Sequence, residues 1–220
     1  MKTKKISVSS LPAGQNIDDQ IAYAKKVESA GAYAYHVDIM DGKFVPNKTI
    51  DYTHMVAVKQ NTNLFLDVHL MCEKPHKLIK YYAKAGANMI TMHVEAFKSE
   101  KRLKNALRKI HKAGIYAGLA LDLETDVEVI YPYLSSVDSV LVLAVKAGAG
   151  GQKFDESALD KVRALRKASP NLLISVDGGV NDKTCSAIWK SGADILAVGS
   201  YIYKAKDIKS AIASLKNTKG

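Results

Sequence analysis

A glycine flanked by small or apolar residues recurs along the chain, at Ala30-Gly31-Ala32, Ala85-Gly86-Ala87, Ala113-Gly114-Ile115 and Ser191-Gly192-Ala193. Each falls where an amphipathic stretch gives way to a short apolar run. Glycine is favoured just past a helix because it enters the left-handed backbone region at little cost. The separations are close to multiples of about 27 residues, the size of one βα unit. Eight such units account for the 220 residues of the chain.

Strands are expected over 6–9, 33–39, 64–69, 89–93, 116–121, 139–143, 172–176 and 195–198. These are apolar runs of strand length, as strands buried on both faces should be. Helical patterns lie between them. In Asp18 to Ser29 the residues Ile21, Ala24, Val27 and Glu28 fall at helical spacing, and in Ser157 to Lys167 Leu159, Val162, Ala164 and Leu165 share a face. Strict alternation of strand and helix gives a parallel sheet. The expected architecture is therefore α/β, a single (β/α)8 TIM barrel spanning 1–220 as one catalytic domain. An open doubly wound sheet is the alternative, but eight units are countable and no second domain is left over.

Composition narrows the function classes. Hydrophobic residues make up 47% and charged residues 25% of the chain, ordinary for a soluble globular protein. The formal net charge is +10, but the lysines are scattered, as at Lys25, Lys26, Lys80 and Lys84. No dense basic run with interleaved aromatics is present, which argues against nucleic acid as a partner. Two cysteines, Cys72 and Cys185, make no disulfide framework, and a reduced cytoplasmic setting is the simplest expectation. The basic start, Met1-Lys2-Thr3-Lys4-Lys5, leads into a short strand-like run, without the apolar core of a signal peptide or a transmembrane stretch, so no membrane is expected as a partner.

The longest loops follow the second and sixth strands, over 41–50 and 145–154, and barrel enzymes place their chemistry on loops of this kind. The second strand ends in His36-Val37-Asp38-Ile39-Met40-Asp41-Gly42 and the third in Asp67-Val68-His69-Leu70-Met71. Strand alternation puts His36 with Asp38, and Asp67 with His69, on one face. The seventh ends in Val176-Asp177-Gly178-Gly179. Charges inside a barrel are costly unless paired or bound to metal. His36, Asp38, His69 and Asp177 converging at one mouth make a divalent metal site. For His93 and Asp122, also near strand ends, the plainer reading as a cap or a satisfied core group is preferred.

A second cluster has the composition of a phosphate cradle. Gly148-Ala149-Gly150-Gly151, Gly178-Gly179 and Gly199-Ser200 follow the sixth, seventh and eighth strands. Glycines let backbone N–H groups approach phosphate oxygens, and phosphate sites after the last strands recur in this fold.

Over nearly its full length the sequence resembles the ribulose-phosphate 3-epimerase family. The resemblance is carried by 36–42 with Phe44-Val45-Pro46-Asn47, by 67–71, by Gly150-Gly151-Gln152-Lys153-Phe154 and by 176–179. It implies that His36, Asp38, His69 and Asp177 bind one divalent metal ion (Zn, Fe(II), Mn or Co), with Asp38 and Asp177 also the acid/base pair. It implies substrate contacts from Ser10, beside Ser9, from His69, and from Met40 and Met71 on the enediolate side. The backbone around Gly148, Ala149, Gly150, Gly151, Gly178, Gly179, Gly199 and Ser200 would hold the phosphate of a sugar-phosphate substrate. A homo-oligomer, a dimer or hexamer, is also implied.

The expected reaction is epimerisation at C3 of D-ribulose 5-phosphate to D-xylulose 5-phosphate. One carboxylate removes the proton beside the C2 ketone and the other returns a proton on the opposite face. The chain departs from the family pattern after the sixth strand, where Leu143 stands in place of a pocket methionine, Ala147 in place of a proline and Ala149 in place of a phenylalanine, and where Lys146 adds a charge. These changes leave open a six-carbon ketose phosphate such as D-allulose 6-phosphate. A catalytically idle sugar-phosphate-binding protein is the alternative from another class. The Asp-x-Lys-x-x-Asp array of decarboxylases and synthases of this barrel group is absent at the third strand.

Overall fold

The computed structural model describes residues 4–218; Met1 to Thr3 of the basic start lie outside the described residues. The strands are β1 (Lys5–Ser9), β2 (Ala34–Met40), β3 (Phe65–Met71), β4 (Met89–His93), β5 (Tyr116–Leu121), β6 (Ser139–Leu143), β7 (Leu173–Asp177) and β8 (Ile195–Val198). They close in sequence order into a parallel barrel, with β8 paired to β1. The expected TIM barrel is what forms.

Between the strands lie α1 (Ile17–Ser29), α2 (Tyr52–Asn61), α3 (Ile79–Lys84), α4 (Glu100–Lys112), α5 (Ser157–Ala168) and α6 (Cys185–Ser191), and after β8 come α7 (Ser200–Tyr203) and α8 (Ile208–Asn217). After β5 the connection is a 3-10 stretch, Val127–Ser136, with Pro132 inside it. Proline has no N–H to donate and its ring crowds the preceding turn, so an α-helix does not form there. The start of α1 is fixed by Asn16, whose side chain accepts from the backbone N–H groups of Asp18 and Asp19. The four glycines of the repeating junction all take positive φ, at 83°, 93°, 73° and 107° for Gly31, Gly86, Gly114 and Gly192.

Three strands run further than their apolar pattern suggested, β7 by one residue to Asp177. β2 continues through Met40 and β3 through Met71, because the register pairs His36 with Asp67, Asp38 with His69 and Met40 with Met71. The polar motifs therefore stand in the sheet and not in the loops.

The strands bury both faces in different ways. Outward residues such as Tyr35, Val37, Leu66, Val68 and Leu70 pack with Val27, Met55 and Leu107 of the helices in one continuous core. Each fully buried aliphatic side chain there contributes about 1.5–3 kcal/mol relative to exposure. Inward residues include many small or polar ones, among them Ser7, Ser9, Asp67, Thr91, Ser139 and Ser175, all buried. The interior is tight: a Cβ on Gly118 would lie 2.4 Å from Thr91 Oγ1. Nothing larger than glycine fits that position without displacing the threonine.

Candidate active site

The barrel mouth holds a cavity of about 600 Å³. Its floor is polar, with Ser9, Asp38, His69 and Asp177, and Met40, Met71 and Leu143 form an apolar side. Beneath the floor His36 is fully buried.

The four residues expected at a metal site come together. One ligand atom from each of His36, Asp38, His69 and Asp177 can be chosen so that all lie within 4.8 Å of one another. Their hydrogen bonds show which atoms face inward. Asp67 Oδ2 lies 2.8 Å from His36 Nδ1 and also accepts from Ser7 Oγ at 3.1 Å. A carboxylate accepts, so His36 Nδ1 donates. His36 Nε2 is then the atom turned to the site, 3.3 Å from Asp38 Oδ1 and 4.0 Å from Asp177 Oδ2, with no hydrogen-bond partner. His69 Nδ1 faces the same point, 3.1 Å from Asp38 Oδ1. A buried imidazole nitrogen without a partner, a second imidazole and two carboxylates around one point fit a divalent cation: two borderline nitrogen and two hard oxygen donors suit a first-row metal.

The electrostatics agree with that arrangement. Burial works against the His36 imidazolium, but the carboxylates of Asp38 and Asp67 outweigh it and hold its pKa well above the usual value. Burial opposes ionisation of Asp38 too, yet His36 and His69 hold its carboxyl far below the usual range. Asp177 goes the other way. Burial, and then the negative charge of Asp38, push it up to about 7. Burial brings His69 down to about 4. Two carboxylates in one site thus differ widely in proton affinity, the pattern of groups that divide acid and base roles.

The glycine clusters also meet. Gly148, Ala149, Gly150 and Gly151 line the cavity wall together with Gly178, Gly179, Gly199 and Ser200. Gly179 has φ +64°, and a Cβ on it would sit 2.3 Å from the backbone nitrogen of Phe154. The loops after β6 and β7 are therefore in direct backbone contact, which only glycine permits. The loop after β6 is braced by its neighbours: Asn47 Nδ2 donates to Gly148 O at 2.6 Å, and Gln152 Nε2 donates to Lys146 O and Ala149 O.

Ser10 stands apart from the expected contacts. It lines an adjoining cavity of about 370 Å³ that shares Asp38, Met40 and Gly148 to Gly150 with the main one, and its carbonyl accepts from Gln20 Nε2. The hydroxyl that reaches the main floor is Ser9, which donates to Asp38 Oδ2 at 2.9 Å. A one-residue shift reverses facing in a strand, and β1 ends at Ser9. Asp122 acts as a brace, its Oδ1 accepting from Leu123 N and Ala147 N. Sequence reasoning missed Asp67 as the partner of His36, although alternation had placed it inward. It also missed Glu95, which follows the strand in a short 3-10 turn, Val94–Ala96, where alternation no longer applies.

The chain has known relatives. A family model described as the ribulose-phosphate 3 epimerase family matches residues 5–203. Ribulose-phosphate 3-epimerase of Bacillus subtilis (strain 168) is 41% identical over 200 residues, covering 89% of this chain and 91% of that protein. The cytoplasmic isoform of ribulose-phosphate 3-epimerase from Oryza sativa subsp. japonica is 37% identical over 200 residues, covering 90% and 87%. The solved 3-hexulose-6-phosphate synthase of Salmonella typhimurium superposes with a TM-score of 0.74 at 16% identity, covering 97% of each chain, a likeness of fold alone.

Proposed function

The chain belongs to the ribulose-phosphate 3-epimerase family, and on that premise we propose that it is a metal-dependent epimerase converting D-ribulose 5-phosphate to D-xylulose 5-phosphate. The observation that carries this reading is the convergence of His36, Asp38, His69 and Asp177 on one point at the barrel mouth. These four would hold one divalent metal, Zn, Fe(II), Mn or Co. Bound there, the metal supplies Lewis-acid stabilisation of the negative charge that develops as a proton leaves the carbon beside a ketone.

The proton transfers belong to the chain. Asp38 stands on β2 and Asp177 on β7, three strands apart around the ring, so they flank a substrate lying across the mouth. Asp38, held anionic by its histidines, accepts a proton from one face of C3 or returns it. Asp177 serves the other face. Ser9 orients Asp38 through its hydroxyl. Met40 and Met71 present thioether and methylene surface to the planar intermediate and exclude water that would quench it. The backbone of Gly148 to Gly151, Gly178, Gly179, Gly199 and Ser200 holds the phosphate, with residues 1–220 acting as a single domain. A cytoplasmic homo-oligomer, dimer or hexamer, completes the reading; among the described residues no helix is long and apolar enough to cross a membrane.

The test is NMR of D-ribulose 5-phosphate in D2O with metal-loaded protein. Loss of the C3 proton signal with appearance of xylulose 5-phosphate supports the reading. No exchange with metal bound rejects it. A second reading, a six-carbon ketose phosphate, is favoured by the cavity wall, where Leu143, Ala147 and Ala149 are small enough to leave room for another carbon. Relative rates on D-allulose 6-phosphate and D-ribulose 5-phosphate decide between them.

A further inference from the structure

The metal site continues outward, toward the segments that follow β4 and β5, through a chain of side chains that the reaction itself does not employ. His69 Nε2, the ring nitrogen turned away from Asp38, lies 2.9 Å from His93 Nε2. His93 Nδ1 lies 3.0 Å from Glu95 Oε2. The other carboxylate oxygen, Glu95 Oε1, accepts from Asp122 N at 2.7 Å and from Thr125 Oγ1 at 2.5 Å. His69 and His93 are fully buried, and the Phe44 ring covers His93 at 4.8 Å between centroids.

Hydrogen-bond polarity runs one way along this chain. Glu95 takes donors on both oxygens and acts as an acceptor only. His93 Nδ1 must then carry a proton. With a metal ion on His69 Nδ1, the one proton of that ring is on Nε2, and at 2.9 Å it donates to His93 Nε2, which is then bare. The His69 Nδ1 lone pair is left for the ion at the point where His36 Nε2 and Asp177 also converge, and the 3.1 Å to Asp38 Oδ1 is then the separation of two ligand atoms and not a hydrogen bond.

We propose that His93 and Glu95 are positioning residues that fix the tautomer and ring orientation of His69, so that its bare Nδ1 faces the metal. The proposal rests on the metal-site reading above. It makes Glu95 the counterpart of Asp67: one carboxylate orients His36 directly, the other orients His69 through an intervening imidazole. Outer partners of metal-binding histidines set ligand basicity and orientation in this manner.

The informative variant is Glu95→Gln, which keeps size but reverses one hydrogen-bond end. If the glutamine amide nitrogen faces His93 Nδ1, that nitrogen must accept, and the reversal passes to His69. If the glutamine oxygen faces His93, the amide nitrogen meets the donors of Asp122 and Thr125. A donor–donor contact appears somewhere whenever His69 Nδ1 holds metal. Cobalt(II) affinity, measured by competition with a chelator, is expected to fall about 10- to 100-fold. His93→Phe, which removes the acceptor while filling the space, is expected to act in the same direction. Thr125→Val, which removes only the loop hydrogen bond to Glu95, is expected to leave affinity unchanged. In the zinc-loaded protein, nitrogen-15 NMR is expected to find His93 protonated at Nδ1 and bare at Nε2.

Should the unaltered protein fail to bind cobalt(II) or zinc, the metal-site reading falls and this inference with it. If it binds metal but both Glu95→Gln and His93→Phe bind equally well, or Thr125→Val is as weak as Glu95→Gln, the inference alone is overturned. It is equally overturned if zinc-loaded His93 is protonated at Nε2.

Discussion

Asp67 Oδ2 lies 2.8 Å from His36 Nδ1 across the β2–β3 pair, with both side chains buried. The contact leaves His36 Nε2 as the nitrogen available to the site. Asp67→Ala is therefore expected to release the ring and weaken divalent-metal affinity by about 10- to 100-fold. Ser7 then also loses its acceptor. Isothermal titration with Mn(II) is the check, and an unchanged dissociation constant would show that packing alone holds His36.

Asp38→Asn and Asp177→Asn should each abolish epimerisation, since a proton must cross from one face of C3 to the other. A loss of at least about 100-fold is expected for removal of a positioned acid or base. The two variants should differ in hydrogen exchange. Each retains one proton carrier, so in D2O each should wash the C3 proton out of one epimer only, and out of opposite epimers. Exchange from both epimers in either variant would show that a third group moves protons.

Metal binding should release protons near neutrality. Asp177, pushed up to about 7, must be ionised to ligate, so affinity should climb as pH rises toward that value. Titration at pH 6 in two buffers of different ionisation enthalpy should report more protons released than at pH 8. The metal-free protein carries the matching stability slope. With 3.8 as the ordinary value and about 7 in the fold, the native state binds more protons than the unfolded chain between those values. Stability from this residue therefore declines as pH rises through that window. Asp177→Asn should remove that part of the slope, and a difference curve that stays flat would contradict the assignment.

Gly179→Ala should damage the cavity wall. The added Cβ meets the Phe154 backbone nitrogen at 2.3 Å, at a φ of +64°. The left-handed conformation alone costs an alanine about 1–2 kcal/mol, and the collision adds to that. A lower thermal midpoint and weaker binding of inorganic phosphate are expected together. A normal midpoint with normal phosphate binding would mean that the two loops separate freely.

Lys146→Ala should have little effect. The side chain lines the cavity but is exposed, and screened surface charges contribute about 0–1 kcal/mol. KM for the sugar phosphate is expected to stay within about fivefold. A larger rise would bring Lys146 into the substrate site.

Much of the barrel was legible because its signals are local. The junction glycines mark helix ends wherever they occur, and β4, β5, β6 and β8 have the limits their apolar runs suggest. His36, Asp38 and His69 were legible because strand alternation has an unvarying period of two. Ser9 and Ser10 were not separable, since adjacent serines at a strand end give alternation no phase. Glu95 was invisible for a different reason. It lies in a 3-10 turn two residues past its partner His93, and the contact that gives His93 a role comes from His69 on another strand. His93 is a satisfied buried histidine, as the plainer reading held, but what satisfies it is a candidate metal ligand.

The candidate ligands stand within β2, β3 and β7, while the glycines that line the cavity stand on the connections after β6, β7 and β8. The first set is locked into a closed ring of backbone pairing; the second hangs from it. The lining contributed by 144–151, on the connection after β6, can therefore be rewritten without disturbing the strands that carry the candidate ligands. Chemistry and selectivity are thereby assigned to different parts of one small protein.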